Sequence, residues 1–152
     1  MTDANNSHIL NANHSHMDDQ KNQINDSGLR ATPARIAVLD VLTSSKAPLD
    51  ISAINNLLEK LKVDADQATI YRIIENFMQK GLINRFCFQD RKFYYEANRG
   101  EHHHAICTSC GIIEDVSNCK IRAVEAEIET TIGFKVESHS LEFFGLCKNC
   151  NN

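Results

Sequence analysis

Four of the six cysteines form two Cys-x-x-Cys pairs, Cys107/Cys110 and Cys147/Cys150, with 36 residues between them. Two such knuckles deliver four thiolates to one tetrahedral Zn²⁺ and leave it no open position, the arrangement of a structural rather than a catalytic ion. The competing readings are disulfides and a redox-active dithiol. No basic segment followed by an apolar one opens the chain, so nothing points to export into an oxidising compartment. Neither pair sits at the strand-to-helix turn of a βαβ unit. Structural zinc is the expectation. Cys87, in an alternating segment, is expected to pack; Cys119 is left open between packing and ligation.

A second donor set stands just ahead of the first pair, in "EHHHAICTSCG" (residues 101–111). A zinc ion saturated by sulfur has no use for three histidines. Successive side chains of an extended strand point to opposite faces, so His102 and His104 share one face and His103 shares the other with Glu101. Glu96 and Asp115 are placed to complete the first face. His139, in "ESHSLEFFG", is placed to join Glu101 and His103. Mixed carboxylate and imidazole donors suit Fe²⁺ or Mn²⁺ and also accept Zn²⁺. The plain alternative is an exposed histidine-rich strand with adventitious affinity; the position beside a zinc knuckle favours regulated binding.

The elements that must position these donors follow from periodicity. Residues 1–27 are rich in Asn, Asp, Ser and His and nearly without apolar residues, which predicts a disordered tail, with Met17 as a second candidate start. A helix opens at "TPARIAVLDVL", capped by Thr32 with Pro33 at its first position and Ile36, Leu39 and Leu42 along one face. A second follows Pro48 with Asp50 as cap and Ile54, Leu57, Leu58 and Leu61 as its stripe. A third, "DQATIYRIIENFMQKG", starts near Asp66, turns Ile70, Ile73, Ile74 and Phe77 inward and ends at Gly81. "LINRFCF" and "KFYYE" around "QDR" read as a β-hairpin. Three helices and a hairpin suggest a winged helix-turn-helix over 28–96, with the third helix entering a major groove. Tyr71 and Arg72, opposite the apolar face, would then meet double-stranded DNA, and Arg30, Arg35, Arg85, Arg91 and Lys92 would neutralise phosphates. The alternative for "TIYR" is a solvated surface helix.

Residues 97–152 alternate in strand fashion, including Phe134, Val136 and Ser138, around an amphipathic helix near 118–131. This predicts a small α/β unit whose apolar surface is too small to fold without a metal or a partner subunit. The class is α+β. The net charge of −4 divides unevenly. Residues 28–95 carry ten Lys/Arg against seven Asp/Glu, whereas 96–152 carry five against nine. A mildly basic middle block is compatible with nucleic acid but weak support for it. No window approaches the roughly 18 apolar residues that cross a bilayer, so a soluble, cytoplasmic protein with no membrane partner is expected.

In this order, "GLRATPAR", "ATIYR", "KGLI", "HHHAICTSCG" and "HSLEFFGLCKNC" resemble the ferric uptake regulator family, whose branches sense iron, zinc, manganese or peroxide. The resemblance covers about residues 28–150. It implies a homodimeric, metal-dependent DNA-binding repressor with an N-terminal winged helix and a C-terminal dimerisation domain. Carried over by position, Cys107, Cys110, Cys147 and Cys150 match the family's structural zinc ligands. Glu96, His102 and His104 match its hinge sensing site, and Asp115 a further ligand of the peroxide-sensing branch. Glu101, His103 and His139 match a second site in the dimerisation domain, and Tyr71 and Arg72 the recognition-helix pair. Two departures stand out. Ala47 occupies the place of a common histidine ligand, with Asn84, Cys87 or a tail histidine as substitutes. Arg122 stands where a ligating glutamate is common, with Cys119 and Glu125 nearby.

The regulatory ion implied is Fe²⁺, Zn²⁺ or Mn²⁺, beside structural Zn²⁺. A peroxide-sensing repressor of the same family is the first alternative, and a zinc-stabilised protein-interaction module the second. A zinc hydrolase or deaminase needs an open-coordinate ion and a general base, and neither H-x-E nor H-E-x-x-H is present.

Overall fold

The computed structural model describes residues 6–88, 91–117 and 119–151. The chain divides into two compact units, Met1–Asn98 and Arg99–Asn152.

The first unit opens with helix α1 (Asn6–Asp26), where the sequence predicts a disordered tail. The difference has a local cause. Ile24 is fully buried in the core of this unit, and Gln20 donates from Nε2 to Thr43 Oγ1 (3.0 Å), so two well-spaced anchors hold a segment of low apolar content. His16 adds a 2.8 Å contact from Nδ1 to Asp40 Oδ1.

Helix α2 (Pro33–Ser44), strand β1 (Leu49–Asp50), helix α3 (Ile51–Lys60) and helix α4 (Gln67–Gln79) follow. Each of these three helices starts where a side-chain oxygen satisfies an otherwise orphaned backbone N–H. Thr32 accepts from Arg35 N, Asp50 from Ala53 N and Asp66 from Thr69 N, the last two at 2.7 Å. The Thr69 hydrogen bond holds the Asp66 carboxyl below its usual range. At the far end of α4, Gly81 takes φ +68°, its N–H reaching Met78 O and that of Leu82 reaching Phe77 O. That double turn requires a left-handed residue, which glycine supplies without strain. It drops buried Leu82 directly into β2 (Ile83–Cys87).

Strand β2 pairs antiparallel with β3 (Phe93–Ala97), and β1 adds to the other edge of β3, giving the order β1-β3-β2. The hairpin's turn residues Gln89 and Asp90 lie outside the described residues. Ile70, Ile73, Ile74 and Phe77 are all buried, as the periodicity of α4 predicts. Elsewhere the inward faces differ. Val38 and Val41 join Leu39 and Leu42, Ile36 is only half-buried, and Leu61 lies exposed beyond the end of α3. Cys87 is exposed rather than packed. Phe77 has no solvent-accessible surface, so Phe77→Ala should destabilise this unit by about 3–5 kcal/mol through lost burial and the cavity left behind. All three tyrosines, Tyr71, Tyr94 and Tyr95, lie in the first unit, so urea unfolding followed by tyrosine fluorescence isolates the effect.

The second unit contains β4 (His103–Cys107), β5 (Ile113–Val116), helix α5 (Ile121–Ile132) and β6 (Glu142–Gly145). Strand β4 is central, antiparallel to β5 and parallel to β6. The strand expected through Phe134, Val136 and Ser138 is irregular backbone, and only Glu142–Gly145 pairs. The contiguous apolar core lies in the first unit; in α5 no residue is buried. Ile132, Phe134 and Leu146 are more than half exposed, and Val124 and Phe143 nearly so. Burial of apolar surface is the main drive for folding, and this unit supplies little of it from its own chain.

Candidate metal centres and nucleic-acid face

In the second unit, the Cys107 knuckle follows the end of β4 and the Cys147 knuckle follows β6. Hydrogen bonds shape both turns: Gly111 N–H donates to Cys107 O, and Cys150 N–H to Cys147 O, each at 2.9 Å. The four Sγ atoms of Cys107, Cys110, Cys147 and Cys150 lie within 4.8 Å of one another, and Cys110 Sγ is 3.8 Å from Cys147 Sγ. That distance is far beyond a disulfide bond of about 2.05 Å. It equals the edge of a tetrahedron with sulfur roughly 2.3 Å from a central zinc, about 3.8 Å. The donor set fits zinc.

Electrostatics prepare the cage. Cys147 N–H donates to Cys107 Sγ at 3.3 Å, and this bond, with that from Cys110, lowers the Cys107 thiol from its ordinary value to about 6. Cys150 is pushed up to about 12: a hydrogen bond with Ser109 pulls it down, and the neighbouring thiols Cys110 and Cys147 outweigh that pull. Four sulfurs in one place cannot all be anionic without a cation among them.

The strand β4 presents the histidines as alternation requires. His102 and His104 are together, ring centroids 4.9 Å apart and nearly perpendicular. His104 pairs in register with Asp115 across the β4–β5 ladder, with Nε2 3.8 Å from Asp115 Oδ1. Donor atoms of His102, His104 and Asp115 all lie within 4.8 Å of one another. The tautomer of His102 that donates Nδ1–H to Gly100 O (3.0 Å) leaves the Nε2 lone pair for a ligand. The set fits a divalent ion that takes nitrogen and oxygen donors. Arg99, which sequence reasoning did not single out, has Nη1 3.5 Å from Asp115 Oδ2. No sequence signal marks it, because the pairing of β4 with β5 is what fixes the position of Asp115. Glu96 is buried near the end of β3 in the first unit, directly across the β2–β3 ladder from Asn84.

The other face of β4 differs. His103 sits beside His139 (ring centroids 5.1 Å), and Glu101 is held by Arg122.

In the first unit, Tyr71 and Arg72 are exposed on α4, opposite its four buried apolar residues. Tyr71 lines a cleft of about 290 Å³ with Asp50, Ser52, Arg91, Lys92 and Phe93. The hairpin and the exposed face of α4 therefore form one surface. Arg85 stacks on Phe93, its guanidinium carbon 4.5 Å from the ring centroid, which holds a cation beside that surface. Arg30 is exposed, whereas Arg35 is half-buried and donates from Nη1 to Arg30 O (2.9 Å).

Comparison with known proteins agrees with these features. The sequence pattern of the ferric uptake regulator family matches residues 26–144. The ferric uptake regulation protein of Neisseria meningitidis serogroup A is 33% identical over 130 residues, covering 84% of this chain and 90% of its own length. The peroxide operon regulator of Bacillus subtilis is 32% identical over 128 residues, 84% of this chain and 88% of that protein. The structure of the ferric uptake regulator from Francisella tularensis with iron superposes with a TM-score of 0.72 at 28% identity, covering 82% of this chain and 96% of that one. The chain belongs to the ferric uptake regulator family of metal-responsive transcription regulators, which are not enzymes.

Proposed function

We propose that the chain is a dimeric repressor that binds a palindromic DNA operator when a divalent ion occupies the face formed by His102, His104 and Asp115. The single observation that carries this reading is the presence of these three donors beside, and separate from, a closed four-cysteine cage. Zinc held by Cys107, Cys110, Cys147 and Cys150 keeps the second unit folded. The second ion is held by nitrogen and oxygen and exchanges more readily, so its occupancy follows its abundance.

Glu96 belongs to the hinge set that the family resemblance implies, six residues along the chain from His102. Asn84 faces Glu96 across β2 and β3, close enough for both side chains to serve one ion. It takes the place left by Ala47. Cys87 is paired with Phe93 at the other end of the hairpin, away from Glu96. An ion that binds one conformer of the dimer more tightly than the others favours that conformer. Its differential affinity for that conformer is what couples metal to DNA. Exposed Val124, Ile132, Phe134, Phe143 and Leu146 supply the face on which a second copy seats. The two-fold dimer then reads two half-sites with Tyr71 and Arg72, while Arg30, Arg91 and Lys92 meet phosphates.

The donor set and the iron-linked names of the relatives favour Fe²⁺, with Mn²⁺ and Zn²⁺ as competitors. The test is a DNA-binding titration with each ion on protein whose cysteines already hold zinc. DNA affinity that rises with none of the three removes the sensor reading. Arg72→Ala should weaken operator binding by about 1–3 kcal/mol, roughly 5- to 150-fold, while the dimer stays intact. A footprint identical to wild type refutes the role of Arg72.

A second reading is peroxide sensing. Asp115 adds a carboxylate beside two histidines, and the Bacillus relative is named a peroxide operon regulator. Oxidation of His102 or His104 on exposure to Fe²⁺ and peroxide, read by mass spectrometry with loss of DNA binding, would establish it.

A further inference from the structure

The side chains that match the family's second metal set form a chain of hydrogen bonds and close polar contacts. Arg122, in the first turn of α5, donates from Nη2 and Nε to one oxygen of Glu101, at 2.9 and 3.2 Å. The other Glu101 oxygen lies 3.7 Å from His139 Nε2. His139 Nδ1 is 2.7 Å from Glu125 Oε1, and the ring of His103 leans on that of His139. All five residues belong to the second unit. Among the described residues, the donors of Glu101, His103 and His139 are not gathered as the four sulfurs are.

We propose that the Arg122 guanidinium takes the place of a metal ion in this cluster, making Glu101, His103 and His139 a metal-independent clamp. Each protomer then holds divalent ions only at the cysteine cage and at the face of His102 and His104. Three properties support this. Arginine cannot lose its charge at any physiological pH, so an entering dication meets a fixed positive group within reach of the same carboxylate. The two hydrogen bonds from Arg122 occupy the lone pairs of Glu101 Oε2 and hold that carboxyl below its usual range. The alternative donors are engaged or opposed: Glu125 is held by His139, and the cavity of about 140 Å³ that Cys119 lines with Glu101 and His103 is lined by Arg122 as well, so a fixed cation stands beside it. The clamp ties the entry of β4 to α5 and to the segment before β6. An ion would otherwise have to bridge those parts.

This inference concerns a different cluster from the one proposed to control DNA binding, and either can fail while the other stands. The test counts ions on the full-length protein after equilibrium dialysis against Zn²⁺ and against Mn²⁺, by plasma mass spectrometry. Wild type and His139→Ala should bind the same number of ions per protomer. Loss of one equivalent in His139→Ala overturns the proposal. Arg122→Glu should gain one equivalent, and the gain should vanish when His139→Ala is added. A folded Arg122→Glu that gains nothing overturns the role of the guanidinium. Should Arg122→Glu fail to fold by circular dichroism, the comparison of wild type with His139→Ala decides alone.

Discussion

Cys110→Ser should leave the second unit without its zinc and largely unfolded, while the first unit keeps its native tyrosine fluorescence. A structural zinc ion contributes an apparent ~10–16 kcal/mol to the folding of a small domain at neutral pH. The second unit has almost nothing else of comparable size, since α5 buries no residue and half of the unit's large apolar side chains are exposed. Replacing one thiolate by a hydroxyl removes a ligand that a closed tetrahedral site cannot replace from solvent without loss of affinity. The measurement pairs zinc content with hydrogen exchange in β4, β5 and β6. A variant that retains one full equivalent of zinc and protected β4 amides would show that the cage is dispensable.

Acid should reproduce part of the effect. The Cys107 thiol, lowered to about 6 from an ordinary value of 9.0, is a thiolate at neutral pH. Its contribution is complete above the unfolded value, declines as pH falls, and is gone once pH passes below about 6. Zinc release on titration should therefore steepen as pH falls towards 6 and below.

His102→Ala is expected to abolish the dependence of DNA binding on the second ion and to leave the cysteine-bound zinc in place. Coupling between two binding sites is typically worth about 1–3 kcal/mol, a change in affinity of roughly 5- to 150-fold. The ratio of DNA affinities with and without the ion should fall from that range to one. His102 suits the experiment better than His104, because His104 is 1% exposed and its loss would leave a cavity in the strand. His102 is only half-buried, and its Nδ1 contact is with the carbonyl of Gly100 at a turn. Paired metal analysis and mobility shift separate the two ions. A variant that still answers to metal with wild-type amplitude would place the sensor elsewhere.

Much of this protein was legible in its residues because the relevant information is local. Two Cys-x-x-Cys pairs mark a four-thiolate cluster by spacing. The strand alternation that divides His102 and His104 from His103 holds wherever the backbone is extended. Helix α4 announced itself by Asp66, a stripe of four apolar residues and Gly81, each with its own backbone reason. The N-terminal segment was not legible in this way. Its few apolar residues argue for disorder, and helix α1 depends on Ile24 and Gln20 meeting a surface on α2 that only folding creates. The strand expected through Phe134 failed for the complementary reason. Alternation shows that a segment can lie in a sheet, and a partner with free backbone groups must also be in reach; β4 offers that edge to Glu142–Gly145 alone.

The residue types and intervals by themselves determined which donor sets the chain offers and which helix carries an exposed face opposite an apolar one, since ligand chemistry and helical periodicity act over a few residues. Tertiary structure decided which donors come together. The pairing of β4 with β5 carries Asp115 to His104, and the packing of α5 brings Arg122 onto Glu101. Those choices rest on contacts between segments far apart in the chain, where spacing carries no information about distance.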